Sequence, residues 1–168
     1  MQNAKDTFYE LLRGRLAALN PERTTVVRGL TRPGVLVDEN ELGASAALPD
    51  CFHLQWGTQG VEIQGALPLV TLGCEIVYAT AGTALNGGLD RGRALAAMDG
   101  ELFAAVRQWP QNAVKKSYAP LGDGEAAVPL KTAVWWGEVA FGAVKVDRDR
   151  LTRTATVAVM SYEEAGEL

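Results

Sequence analysis

His53 is the only histidine in the chain, so a serine or cysteine hydrolase chemistry would have to use it as the base. Cys51 lies two residues before it. On a strand the two side chains would point the same way, with Cα atoms roughly 6.5–7 Å apart. That is further than the short hydrogen bond an activated thiolate needs. No nucleophile elbow of the G-x-S-x-G type occurs. The expectation for His53 is a strand histidine satisfied by hydrogen bonds or partly exposed. Cys51 and Cys74 are too few for a disulfide framework and lack metal-site spacing. A zinc ion would need a carboxylate that nothing in the sequence points to. Each cysteine reads as a buried thiol acting as a small hydrophobe, although the two could pair if their strands were neighbours. No cofactor and no metal is expected.

The glycine-rich stretch Gly82–Gly92 lies between strand-like and helix-like segments, where phosphate loops occur. Its core reads Asn86-Gly-Gly-Leu-Asp-Arg-Gly-Arg93, without the Gly-Lys-Ser/Thr ending that places a lysine and a hydroxyl on phosphate and metal. The dinucleotide pattern is missing too. Arg91 and Arg93, near a helix start, could hold an anion, but a flexible connection is the plainer reading.

The remaining chemistry-bearing residues suggest contacts between molecules. Glu75 places a charge inside an apolar strand, facing solvent or, in an oligomer, a partner's arginine. Trp135 and Trp136 are adjacent, so on a strand they point to opposite faces. One can enter the core, and the other is left for solvent, a helix or another subunit. Arg148, Arg150 and Arg153 cluster at a polar turn, solvated or set against an acidic neighbour or phosphate. Glu75, Arg91, Arg93, Trp135, Trp136, Arg148, Arg150 and Arg153 are therefore the candidate interface residues.

These residues need a scaffold, and its centre is Leu67–Trp109. Val70, Leu72, Cys74, Ile76 and Tyr78 alternate with less apolar neighbours, the period-2 signal of a strand with one buried face. A helix follows from near Asp90, a candidate cap. Its stripe is Leu95, Met98, Leu102 and Val106, and Pro110 ends it. An earlier helix is expected over residues 6–19, with Asp6 as cap and Phe8, Leu11, Leu12, Leu16 and Leu19 on one face. Arg13 and Arg15 fall off that stripe, on a face expected to be solvated.

Thr24–Leu30 and Val35–Val37 read as strands around a turn at Arg32-Pro-Gly34. Cys51–Trp56 and Gly60–Gly65 read as two more, joined around Gly57–Gly60, in an antiparallel meander. Asp38–Pro49 and Gln111–Leu130 read as loops, with Lys115 and Lys116 a solvated pair. Thr132–Val146 and Leu151–Tyr162 form a late hairpin, and Glu163–Leu168 is expected to fray. The class is α+β: a mainly antiparallel sheet with two principal helices packed on it, in a single domain over residues 1–168.

At 168 residues, 48% hydrophobic and 21% charged, the chain has material for a real core. A net charge of −4 argues against a general nucleic-acid binder. The opening residues lack the pattern of a signal peptide, and no apolar run approaches the ~20 residues of a membrane span. Folding in a cytoplasm is expected.

The order of elements also carries a resemblance. A leading helix ends in Asn20-Pro21, and a strand Leu69–Thr80 leads through a loop into Asp90-Arg-Gly-Arg-Ala-Leu-Ala-Ala-Met-Asp-Gly-Glu-Leu102. A late hairpin closes with Leu151-Thr-Arg-Thr-Ala-Thr-Val-Ala-Val159. This resembles the tail terminator or tail-completion proteins of long-tailed bacteriophages and prophages, in organisation and texture and without a diagnostic motif. Asp38–Gly65 and Gln111–Leu130 are not clearly matched. The resemblance implies a non-enzymatic subunit that forms a homo-oligomeric ring, usually of six copies. The ring would cap the tail tube and join the head, with tail-tube and head-completion proteins as partners and no sequence-specific contact with nucleic acid. It implies assembly in the host cytoplasm and a place in the virion tail. The alternative from a different class is a small-molecule-binding or hydrolytic α+β domain using His53.

Overall fold

The computed structural model describes residues 1–41, 48–63, 65–80, 83, 85–118, 126–147 and 150–167. The Asp38–Pro49 loop's small-residue run, residues 119–125 of the Gln111–Leu130 loop, and Arg148 lie outside the described residues. The first element is helix α1, Gln2–Leu19. It starts earlier than expected, so Asp6 does not cap it but sits inside the first turns and accepts a hydrogen bond from Gln2 Nε2 at 2.8 Å. Ala4, Phe8, Leu12 and Leu16 recur every fourth residue and form its buried stripe, whereas Leu19 lies past the core and is exposed.

A small hairpin follows, β1 (Thr24–Val27) and β2 (Leu30–Pro33), paired only with each other. The expected turn at Arg32–Gly34 is displaced: the chain reverses at Arg28-Gly29, where φ is 52° and 81°. The main sheet runs β3-β4-β5-β10-β7-β6, from β3 (Val35–Val37), β4 (Phe52–Glu62), β5 (Leu69–Thr80), β6 (Asn112–Ser117), β7 (Val128–Trp136) and β10 (Arg150–Tyr162). Two short strands, β8 (Ala140–Phe141) and β9 (Lys145–Asp147), also pair with β10. The α+β class holds, but the sheet is mixed. β3 pairs in parallel with β4, so the expected antiparallel meander fails at that step.

Two segments expected to be separate strands are one. β4 runs unbroken through Gly57–Gly60, absorbing the irregularity as a register shift between Trp56 and Gln59. The late hairpin is confirmed on its return arm and broken on its outgoing one. Along one side β10 meets β9, β8 and β7 in turn, with the ladder carried across the breaks by Gly142 N–H to the Thr154 carbonyl and Gly137 N–H to the Ala158 carbonyl, both 2.9 Å. The stretch read as an irregular loop after residue 111 contains β6, an edge strand too short and polar to signal itself.

Helix α2, Asp90–Arg107, follows the expected boundaries and buries Leu95, Met98, Leu102 and Val106. Asp90 does not cap it. Its carboxylate accepts from Thr83 N–H at 3.0 Å and Thr83 Oγ1 at 2.8 Å, and these two bonds hold its pKa below the ordinary value. Both helices cover the same sheet face. Phe8 of α1 meets Trp56 and Trp136 edge-on, and Asp99 of α2 receives the Tyr78 hydroxyl at 2.5 Å. Between them lies one cluster of buried residues that includes Val70, Leu72, Cys74, Ile76 and Tyr78 of β5. The opposite sheet face carries no α-helix among the described residues.

Candidate functional site

His53 lies on that helix-free face, yet it is buried, with Asp38 and Leu48 each hydrogen-bonded to its ring. The Leu48 N–H donates to Nε2 at 3.0 Å, so Nε2 is an acceptor and carries no proton. Nδ1 must then hold the ring proton, and it lies 2.9 Å from Asp38 Oδ1. The other Asp38 oxygen accepts from Gln55 Nε2 at 2.6 Å. Both ring nitrogens are occupied, so no lone pair is left to take a proton from a nucleophile. This is the hydrogen-bonded strand histidine expected from the sequence. Cys51 does not face it as a nucleophile: burial pushes its thiol pKa up, against a hydrogen bond with Thr25. Burial raises Cys74 further, and both thiols are free. Among the described residues, no group of three or more His, Cys, Asp or Glu side chains is arranged to hold a metal ion.

The helix-free face presents a different kind of site. Strand alternation places Thr71, Gly73 and Glu75 of β5, Thr156, Ala158, Met160 and Tyr162 of β10, and Trp135 of β7 on it. Trp135 stands against Tyr162, ring centroids 5.5 Å apart and planes tilted by 45°. A trough of about 230 Å³ crosses the middle strands where Gly57, Gly73 and Ala158 leave space, with Glu75 and Thr156 on its rim. Glu75 and Trp135 share this face but are separated by four residues along β10 and two strand spacings, roughly 16 Å.

The other predicted contact residues do not join them. Trp136 is a correction: it is buried on the helix side, 5.4 Å from the Phe8 ring and 5.1 Å from the Arg15 guanidinium. Its indole N–H donates to the Val106 carbonyl at 3.0 Å. Arg153 is a second correction, since its Nη1 pairs with Asp99 Oδ2 of α2 at 2.5 Å on the same buried side. The parity of β10 turns position 153 toward the helices. Arg150 is half-buried at the start of that strand. Arg91 and Arg93 lie in the first turn of α2, and Arg93 is exposed beside Asp90. Arg148 lies outside the described residues.

Several notable residues escaped the sequence reading. Arg15, read as solvated, is buried and ends α2: its Nη1 and Nη2 donate to the carbonyls of Ala105 at 3.1 Å and Pro110 at 2.6 Å. Lys115, read as one of a solvated pair, is fully buried. Its Nζ donates to the Tyr162 carbonyl at 2.6 Å and Glu167 Oε2 at 2.7 Å, with Glu163 Oε1 3.7 Å away. Glu163 is fully buried too and pairs with the Met1 amine. The acidic tail therefore docks instead of fraying. No local signal marked the burial of Lys115: Ala113 and Ser117 share its side of β6, and the apolar Val114 points outward. Trp109, 81% exposed just past α2, flanks a groove of about 340 Å³ along Glu10, Gly14 and Ala18 of α1. A tryptophan beside a helix-ending proline was its sequence signal.

Among the described residues, no helix is long and apolar enough to cross a membrane. No family model matches the chain, and no curated protein matches it.

Proposed function

We propose that this chain is a structural subunit of a phage or prophage tail, resembling the tail terminators, whose copies form a ring that caps the tail tube and joins it to the head. The observation that carries the reading is the helix-free sheet face with Trp135 and Tyr162 standing on it. Large aromatic side chains held on a stiff sheet are the residue types that anchor protein interfaces. The engagement of both His53 nitrogens favours an assembly role over the hydrolytic alternative. The order of elements, with its leading helix, long central strand and late return strand, is the basis of the likeness. Tail-tube and head-completion proteins are the proposed partners, met in the host cytoplasm during assembly. Duplex DNA would pass the lumen without sequence-specific contact, and a net charge of −4 suits a channel that must not hold a polyanion.

The test is co-expression of the full chain with the tail-tube protein of the same genome, viewed by electron microscopy. Rings of uniform size at one end of the tubes, and in number matched to tube ends, are expected. Tubes that look and terminate the same with and without the chain would overturn the proposal.

A further inference from the structure

Two regions of this chain offer unpaired strand backbone, and they carry opposite charge. The first is the β1–β2 hairpin, which makes no ladder with the main sheet. Val26 and Leu30 at its tip are 65% and 72% exposed. A two-residue turn with both central φ values positive favours Asn-Gly, but here the first position is Arg28, held at φ 52°. That left-handed conformation crowds the Cβ of any residue except glycine. Strain of this kind gathers at positions kept for contact. Arg28 has no ion-pair partner among the described residues.

The second region is the outer edge of β4. β3 covers only Phe52–Leu54, while β4 continues to Glu62 with no described strand outside it. This edge ends in Val61, Glu62 and Ile63, all exposed, and Glu62 has no ion-pair partner among the described residues. A bulge and a single charge are its only protection, which is thin for a bare edge. At the far edge of the sheet, by contrast, the Lys116 N–H of β6 is taken, donating to Thr7 Oγ1 of α1 at 2.9 Å.

We infer that the β1–β2 hairpin of one copy pairs with the β4 edge of the next copy, extending the neighbour's sheet. The inference rests on the reading of the chain as a ring subunit and supplies its contact. Arg28 of one copy meets Glu62 of the other, and Leu30 of β2 covers Val61 and Ile63, which fall on one face of the β4 edge. The surfaces are different, so the contact is heterologous and repeats head to tail, closing into a ring where the rotation allows. The competing occupant is a second β4 edge in a two-fold dimer. That pairing would bring two copies of Glu62 into one short ladder with no cation between them, so charge favours the hairpin.

The test uses full-length chains, in which the native thiols Cys51 and Cys74 are buried. One chain carries Leu30→Cys and another Ile63→Cys; they are mixed and oxidised. Disulfide-linked dimers in the mixture, and in neither chain alone, are expected. Arg28→Glu should weaken self-association by about tenfold, and Glu62→Arg in the same chain should restore it, with circular dichroism confirming that each variant is folded. Equal linkage of the Ile63→Cys chain with itself would show a β4–β4 dimer and overturn the inference. So would Arg28→Glu chains that associate as the wild type does, or a wild-type chain that stays monomeric and unlinked at high concentration. Rings on tail tubes without this linkage would sink the hairpin contact and leave the tail reading standing. Linkage without capping of tubes would do the reverse.

Discussion

Trp136 fills the space between Phe8 and the Arg15 guanidinium, while its sequence neighbour Trp135 stands on the helix-free face against Tyr162. The two should separate in experiment. Trp136→Ala should cost about 3–5 kcal/mol in urea unfolding, because a large cavity opens under α1. Trp136→Phe keeps most of the packing but leaves the Val106 carbonyl with only the longer 3.5 Å bond from Gln111 Nε2, at about 1 kcal/mol. Trp135→Ala should change stability by less than about 1 kcal/mol and instead weaken the proposed capping of tail tubes, read by electron microscopy of tubes co-expressed with the chain. His53 belongs to the same scale. Its alanine variant strips partners from Asp38 and from the Leu48 N–H, so a loss of about 1–3 kcal/mol is expected. Under the proposed assembly role, capping of tail tubes by the folded variant should survive; a complete loss with folding preserved would point back to histidine chemistry.

Elements in this molecule are closed by polar contacts that reach across the chain. Thr7 Oγ1 accepts the Lys116 N–H, which seals β6 against α1. Thr7→Val leaves that N–H without its partner, and about 1 kcal/mol of stability should be lost, with faster hydrogen exchange confined to β6. The broken arm opposite β10 depends on close backbone approach. A Cβ at Gly142 would lie 2.8 Å from the Thr154 carbonyl oxygen, a backbone atom that cannot swing aside. Gly142→Ala should therefore shift the β8–β9 segment away from β10 and destabilise the fold by about 1–3 kcal/mol, measured by the urea midpoint.

For the whole molecule, a cluster of the buried Lys115 and Glu163 with the half-buried Glu167 and Met1 amine ties the start of α1, β6 and the C-terminal tail together. Charges this deep are stable only as a set, since removing one strands the others without water. Lys115→Met should cost about 3–5 kcal/mol, seen as a large drop in the unfolding midpoint. The same cluster sets an acid response. Burial pushes Glu167 up, but hydrogen bonds from Lys115 and Asn3 outweigh it and leave the folded pKa below 4.5. Glu101 follows the same logic, with Arg23 and Asn20 as donors. A depressed folded value means that each carboxylate adds stability fully present above about 4.5, lost as pH falls through the lower folded value. Glu167→Gln should flatten that part of the acid-unfolding curve.

Local periodicity carried most of the secondary structure. The alternation of Val70, Leu72, Cys74, Ile76 and Tyr78 and the spacing of Leu95, Met98, Leu102 and Val106 are properties of consecutive residues, so β5 and α2 were legible with their buried faces. The adjacency of Trp135 and Trp136 dictated opposite faces as well, because a strand turns every second side chain over. Which of the two faces would receive the helices was not written there. That choice, the inward turn of Arg153, the burial of Lys115 and the parallel β3–β4 step depend on partners tens of residues away: Asp99, Glu163 and Glu167, and the return of the chain at Phe52. A charged or polar residue reads as solvated until its counter-charge is known, and only tertiary packing brings that counter-charge to it.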